Sequence, residues 1–442
     1  MERPNVLFLI SDEHRADVAG FAGNRVIRTP VLDTLAKNAV VFDNAYCPSP
    51  ICIPGRQAMM SGQYPRRCAC ETFNSYLQDG YETIARVFTR YAYRTIAAGK
   101  THDDGFDQMM GFAQRVGLDM VMRPAFMKDI IKAEYDRYMR PTSEVKWTQA
   151  KEVQRAGIGA SHYDKMDQYA LNGARLMLEQ HYLCPYYDRE QVQQPMFLYY
   201  GTLAPHYPYF TQEEQFLYYL NRVPLYEDQQ EFDHPFLSRM AVKIGRDVSR
   251  REVQRATAAY YGMIEVMDGR FGQLVDAITA TGQNIDDWII IYTTDHGEML
   301  GEHGVWEKQK FFEGSSRVPL FIRFPKRFAP LRVSKNVNTL DLFATLCGLC
   351  SLPVPEGLDS RSLLPLMAGN DAAWENETAS QFGGSNLMIK RDHLKYHYYE
   401  NDGSELLFDL ARDPSENTQF ANDPAYAGSL AYFRSARVKY LY

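Results

Sequence analysis

The chain of 442 residues lacks any run approaching the roughly 18–20 consecutive apolar residues that a membrane-spanning helix needs. It lacks a surplus of positive charge as well. Its 48 Lys and Arg stand against 55 Asp and Glu, a net charge of −7, which argues against nucleic acid as the main partner. Cysteine is scarce and odd in number, seven in all, so a disulfide framework is not expected. Cys347 and Cys350 have the spacing of a metal or redox pair, but no second pair or paired histidines accompany them. Their apolar helical surroundings, Leu340 to Leu349, make them core thiols. Internal repeats and low-complexity tracts are missing. At 45% hydrophobic and 23% charged residues, the chain is not a disordered one. The N-terminus, Met1 to Asn5 followed by Val6–Ile10, is too short and wrongly flanked for a signal peptide. With Met1 as the natural start, the expected location is the cytoplasm, with no membrane partner.

What is present is a series of short apolar runs that end in polar residues. Val6–Ile10 enters Ser11-Asp12-Glu13, and Arg94–Ala98 enters Gly99-Lys100. Pro195–Thr202 leads to Pro205-His206, and Trp288–Thr293 to Thr294-Asp295-His296. Val40–Phe42 and Val318–Phe324 read as further strands. Helical periodicity marks Val31–Ala39, Glu82–Arg90 and Glu252–Thr281. Strands alternating with helices imply an α/β fold with a large, mostly parallel central sheet. Ligands of such sheets bind beyond the carboxyl ends of the strands, where Asp12, Lys100, His206 and Asp295 all stand. Residues 103 to about 190 read as helices and long loops around a site. Beyond about residue 370 the pattern changes. Ala372–Ser380 reads as merely polar. Asn386–Ile389, His393–Tyr399 and Glu405–Phe408 follow as short strands, with a helix near Tyr426–Tyr440. The expected division is a large α/β domain over 1–370 and a small α+β subdomain, an antiparallel sheet plus helix, over 371–442.

Several residues carry chemistry on their own terms. Asp12 and Asp295, each alone, read as readily as structural residues, a helix cap or a salt-bridge partner, as functional ones. Together at adjacent strand ends they repel unless a cation lies between them. Oxygen donors favour Ca²⁺ or Mg²⁺, and His296 beside them admits Mn²⁺. Cys52-Ile53-Pro54-Gly55-Arg56 precedes a helix expected over Gln57–Met60, which would put a reactive group at a helix N-terminus. His102 and His206 are candidate proton carriers, and Pro205 and Pro208 should stiffen the backbone around His206. His14 and His303 are candidates for the pocket wall, and Lys310 reads as a surface residue. The aromatic stretches 179–187 and 207–220 read as packing rather than as a cage for a quaternary ammonium or a sugar.

These segments together resemble the sulfatase family, within the alkaline-phosphatase-like superfamily. Cys52 to Arg56 matches its Cys-x-Pro-x-Arg signature, although Ser61-Gly62-Gln63 stands where Thr-Gly-Arg is usual. Gly99-Lys100-Thr101-His102, Pro205-His206-Tyr207-Pro208 and the block Thr294 to Gly301 with His303 to Lys308 fall in the family's order. Arylsulfatases usually carry Asn where His296 stands. The Asp-His pair is nearer to choline sulfatases and phosphonate monoester hydrolases.

The resemblance implies one divalent metal, Ca²⁺ ahead of Mg²⁺ or Mn²⁺, held by Asp12, Cys52, Asp295 and His296. It implies Cys52 oxidised to formylglycine by a maturating enzyme, with Arg56 activating the hydrate. Lys100 and Lys308 would hold the sulfate oxygens, and His206 would protonate the departing alcohol. His102 would act on the hydrate. Glu13, where relatives often have a second Asp ligand, is expected beside the metal rather than on it. The implied function is hydrolysis of a small-molecule or saccharide sulfate ester. The alternatives are a phosphonate or phosphate ester hydrolase on the same scaffold, and a binding protein with unmodified Cys52. The last residues, Lys439 to Tyr442, are candidates for packing on a second subunit.

Overall fold

The computed structural model describes residues 3–117, 119, 149–183, 194–226, 229–384 and 386–441. Its main sheet is built from β1 (Asn5–Ser11), β2 (Val40–Tyr46), β3 (Arg94–Gly99) and β4 (Gln114–Val116). The pair β5 (Gly157–Ile158) and β7 (Phe210–Thr211) forms a separate ribbon on either side of β6 (Met196–Gly201) in the chain. The main sheet continues with β6, β8 (Trp288–Thr294), β9 (Arg317–Val318), β10 (Phe321–Arg323) and β11 (Leu331–Asn338). The order is β11-β2-β10-β8-β1-β6-β3-β4, with β9 paired to β2. β1 lies parallel to both β6 and β8, β3 parallel to β6, and β11 parallel to β2; β9 and β10 run antiparallel to their neighbours.

The alternation of side chains along β1 explains why its apolar run is continuous. Leu7 and Leu9 enter one core with the helices Pro30–Ala36, His162–Tyr182 and Arg250–Ala280. Val6, Phe8 and Ile10 enter another on the opposite face, with the helices Cys52–Ser61, Ile84–Arg90 and Leu342–Leu349. A parallel sheet covered on both faces has no polar side to show in its strand sequences. Cys347 and Cys350 lie in this second core, as does Cys47.

A second sheet, β12 (Glu377–Phe382), β13 (Asn386–Arg391), β14 (Leu394–Tyr399) and β15 (Ser404–Asp409), is antiparallel throughout. One face packs on the helix Ala427–Ala436 through Leu430 and Phe433. The other packs on the main body through Tyr46, Met299, Phe311 and Phe312.

Three readings of the sequence are corrected. The helix expected at Gln57 begins at Cys52. Pro54 causes no break, because it falls in the first turn, where backbone N–H groups have no partner within the helix. Val318–Phe324 is two short strands parted at Pro319. The polar stretch Ala372–Ser380 contains most of β12, whose side chains are spent on tertiary hydrogen bonds. The Asn338 amide donates to Thr378 Oγ1 and the Ala379 carbonyl, and Tyr440 Oη donates to Glu377. That last bond, with Tyr440 buried against Tyr64, turns Tyr440 inward onto its own chain. The stretch 184–187 and Tyr442 lie outside the described residues.

Candidate active site

The carboxyl ends of β1, β3, β6 and β8 meet at one guanidinium. Arg56, on the helix Cys52–Ser61, is fully buried. Its Nε donates to Asp295 Oδ2 at 2.7 Å, and its Nη1 to the Lys100 carbonyl and Tyr199 Oη, both at 2.9 Å. Its Nη2 donates to the Ser11 carbonyl at 2.9 Å and lies 3.5 Å from Asp12 Oδ2. Sequence reasoning aimed Arg56 at the reacting group. The structure instead spends its donors on the protein, locking four strand ends together. The helix reaches this depth because residue 55 is glycine. A Cβ there would stand 2.9 Å from the Ser49 carbonyl oxygen and 3.0 Å from that of Asp295.

Around Cys52 the donors converge. Its Sγ lies 3.2 Å from His296 Nε2 and donates to Asp12 Oδ1 at 3.7 Å. His296 Nε2 is 3.8 Å from Asp12 Oδ1 and 3.7 Å from Asp295 Oδ1. The other ring nitrogen, Nδ1, lies 3.0 Å from the Gly297 carbonyl, which can only accept. Nδ1 therefore carries the proton. Burial lowers the His296 pKa, so the ring is neutral and Nε2 presents a lone pair. A lone pair facing two carboxylate oxygens is an arrangement that a cation resolves. One ligand atom from each of Asp12, Cys52, Asp295 and His296 fits within 4.8 Å of the others. These residues fit a divalent metal held by hard oxygen and imidazole nitrogen donors.

A ring of cations and proton carriers adjoins this cluster. Lys100 Nζ bonds Asp12 Oδ2. Burial would raise the Asp12 carboxyl, but Lys100, with His206, Arg56 and His296, holds it well below the usual carboxylate range. Lys308 Nζ donates to Glu13 Oε2 at 2.9 Å and lies 2.6 Å from His206 Nε2 and 4.8 Å from the centre of the Tyr207 ring. His206 Nδ1 is 2.6 Å from the Tyr207 carbonyl, so the proton sits on Nδ1 here and Nε2 accepts from Lys308. Burial and Lys308 push the His206 pKa down. Glu13 keeps Oε1 without a partner among the described residues, and burial raises its carboxyl well above the usual range. Glu13 also forms a second possible donor group with Asp12 and His206. His102 reaches the site through its backbone. Its N–H donates to Asp119 at 2.8 Å, and its carbonyl accepts from Gln57 on the cysteine helix. Its ring packs edge-on to Phe73, with Nδ1 buried and unpartnered among the described residues. Glu13, His102 and Glu307 all have left-handed backbones, at φ 67°, 57° and 67°. Such strained positions gather where side chains must be aimed.

The main-sheet pattern, the Arg56 lock and the Asp12–Asp295–His296 cluster accompany a match to a family model. The sulfatase model matches residues 4–352. The chain belongs to the sulfatase family. A second model, the C-terminal region of N-sulphoglucosamine sulphohydrolase, matches residues 301–436. A choline-sulfatase of Rhizobium meliloti (strain 1021) is 30% identical, covering 96% of this sulfatase and 83% of its own length. An arylsulfatase of Clostridium perfringens is 26% identical, over 99% and 94%. The phosphonate monoester hydrolase of Agrobacterium radiobacter superposes with a TM-score of 0.79 at 23% identity, covering 99% of this chain and 95% of that one. This likeness speaks to the fold alone. The sulfatase is a sulfuric ester hydrolase with an alkaline-phosphatase-like fold.

Some site residues had no sequence signal. Tyr199, Asp119 and Tyr163, whose ring stands edge-on to His206 at 5.7 Å, lie in no motif. Lys310 is wholly buried rather than on the surface. Its Nζ donates to the Phe236 carbonyl at 2.7 Å, and burial lowers its pKa to about 7. His14 bonds Tyr292 Oη and the Val18 carbonyl, and His303 bonds the Gln230 carbonyl; both are fixed by these contacts.

Proposed function

We propose that this sulfatase cleaves its ester with a formylglycine made from Cys52 and one divalent metal held by Asp12, Asp295, His296 and the modified residue 52. The observation that carries the reading is the His296 Nε2 lone pair facing Asp12, Asp295 and Cys52. A second supports it: burial pushes the Cys52 thiol up to about 11, with the Asp12 charge in the same direction, so an unmodified Cys52 stays protonated near neutral pH. When present, the formylglycine hydrate and the metal supply an oxygen nucleophile and withdraw charge from the sulfate group. Arg56 orients Asp295 and closes the strand ends behind the nucleophile. Lys100 and Lys308 supply buried ammonium groups for the sulfate oxygens. The His206–Lys308 pair delivers the proton that the departing oxygen needs, and His102 is the base at residue 52.

Ca²⁺ is the first expectation for the metal, with Mg²⁺ and Mn²⁺ accommodated by the same donors. Choline sulfate and aryl sulfates are the first substrates to try, given the names of the relatives. Phosphonate monoesters are the rival substrate, because a tetrahedral oxyanion would meet the same cations. A maturating enzyme is the implied partner, and the cytoplasm the proposed location. The decisive experiment is a peptide mass spectrum across residue 52 from the native host. An aldehyde there is the expected result, and an unmodified thiol in active enzyme would overturn the nucleophile.

A further inference from the structure

The helix His162–Tyr182 supplies none of the residues assigned above to the chemistry, yet it grips the loop that carries His206. Asp167, 1% exposed on that helix, accepts the Leu203 N–H at 2.7 Å through Oδ1 and the Ala204 N–H at 3.0 Å through Oδ2. Leu203 and Ala204 leave β6 and enter the turn that ends at His206, whose own N–H donates back to the Leu203 carbonyl at 2.9 Å. The Ala204 carbonyl accepts the Asp12 N–H at 3.2 Å and Thr202 Oγ1 at 3.0 Å. One dipeptide is thus fixed from one side by Asp167 and from the other by the backbone of Asp12.

Asp167 shares Arg270 with Asp164 and is held only loosely by it. Arg270 Nη1 stands 3.9 Å from Asp167 Oδ2, while Arg270 Nη2 donates its close hydrogen bond to Asp164 Oδ1. Tyr163, four residues before Asp167 and so on the same helix face, presents its ring edge to the His206 ring. A single helix face therefore addresses both the turn leading to His206 and the His206 ring.

We propose that Asp167 is a positioning residue for His206, setting where the imidazole stands relative to the departing ester oxygen. The role rests on the sulfate ester reading above. In that step the nucleophile at residue 52 bonds to sulfur and the S–O bond to the alcohol breaks. Its electron pair passes to the alcohol oxygen, which takes a proton from the His206–Lys308 pair. Loss of the Asp167 clamp should harm proton delivery and leave recognition of the sulfate group alone.

The test is a series of aryl sulfates whose phenols span a wide pKa range, with one alkyl sulfate, on wild type, Asp167→Asn, Asp164→Asn and His206→Ala. Asp167→Asn should lower kcat about 10–100-fold for poor leaving groups, a fraction of what a general acid contributes, and little for nitrophenyl sulfate. KM should stay within about twofold. The dependence on leaving-group pKa should steepen toward that of His206→Ala, while Asp164→Asn, which weakens the Arg270 pair and leaves the Leu203 and Ala204 hydrogen bonds to Asp167 in place, keeps the wild-type slope. An equal loss across the series, or none, would overturn the positioning role alone. A wild type that turns over no sulfate ester would overturn the sulfate reading as well. Amide hydrogen exchange supplies a readout without activity: Leu203 and Ala204 should exchange faster in Asp167→Asn while β6 itself does not. Unchanged protection there also counts against the clamp. Should Asp167→Asn fail to fold, Asp167→Glu keeps the charge but moves the oxygens, and an unaltered slope in it would overturn the role.

Discussion

Single residues at this site work in opposed pairs. Asp12 and Asp295 are buried carboxylates a few ångströms apart, and each already has a cation on one oxygen: Lys100 on Asp12, Arg56 on Asp295. The remaining oxygens face the His296 lone pair, and a divalent cation there should stabilise the fold as well as the reaction. Chelation is expected to lower the melting temperature. Restoring the metal at a hundredfold excess over its Kd should return about 2.7 kcal/mol. Asp295→Asn should lose most of that increment. A wild-type melting curve indifferent to chelator would sink the cation site. Position 52 allows a second check. Cys52→Ala should abolish turnover. Cys52→Ser, having one hydroxyl where a hydrate has two, should at best become sulfated once and stall. Repeated turnover by Cys52→Ser at the wild-type rate would refute the need for a hydrate.

Asp12, Lys100, His206 and Asp295 were legible because they follow apolar runs; Cys52, Arg56 and Lys308 stood out only through the resemblance. Their directions were not legible. Whether Arg56 points at the substrate or back into the protein depends on Ser11, Lys100, Tyr199 and Asp295, up to 239 positions away. The burial of Lys310 likewise depends on Phe236, 74 positions away.

At the scale of elements, helix ends are tied across the molecule by carboxylates. Asp268, on the long helix Arg250–Ala280, accepts the Val31 and Leu32 N–H groups at 3.0 and 2.8 Å and so caps the helix Pro30–Ala36 from outside. Burial raises its pKa to about 7, from an ordinary value of 3.8. Between these values the folded chain holds a proton that the unfolded chain has released. Stability from this group therefore falls as pH rises from about 4 to 7. Asp268→Asn should remove that share, at most a few kcal/mol, and flatten the fall of the melting temperature between pH 5 and 7. An undiminished slope in the variant would show that Asp268 is ionised throughout.

The long helix itself was legible, since its apolar period runs over many turns and Ser249 with Glu252 caps it. The strand β12 was not. Its Thr378 and Glu377 side chains and its backbone bond Asn338, Tyr440 and the Pro48 carbonyl, partners that no local window contains. The break at Pro319 was missed for a related reason. The Leu320 carbonyl still accepts the Phe42 N–H at 3.0 Å, so the chain runs on beside β2 through the interruption.

For the whole molecule, the small sheet is joined to the main body by charge as well as by apolar contact. Lys395, on β14, lies 2.9 Å from Glu313 and 3.0 Å from Glu416, and is itself wholly buried. Removing one partner of a buried pair leaves the other charges uncompensated. Lys395→Met should therefore cost about 3–5 kcal/mol and loosen the second sheet first. Urea unfolding followed at Trp374 and by far-ultraviolet dichroism should then part into two transitions. Coincident curves with a loss below about 1 kcal/mol would show that the apolar contacts alone join the two parts.

The depth of Cys52 imposes a clock. Its side chain is 1% exposed, it opens a helix, and the residue that seals it, His296, is made 244 positions later. Under the proposed function, an enzyme that rewrites this thiol would need the segment extended and reachable, a window that shuts when β8 docks beside β1. The active fraction of a batch would then be set before folding is complete, and treating the folded protein would not raise it.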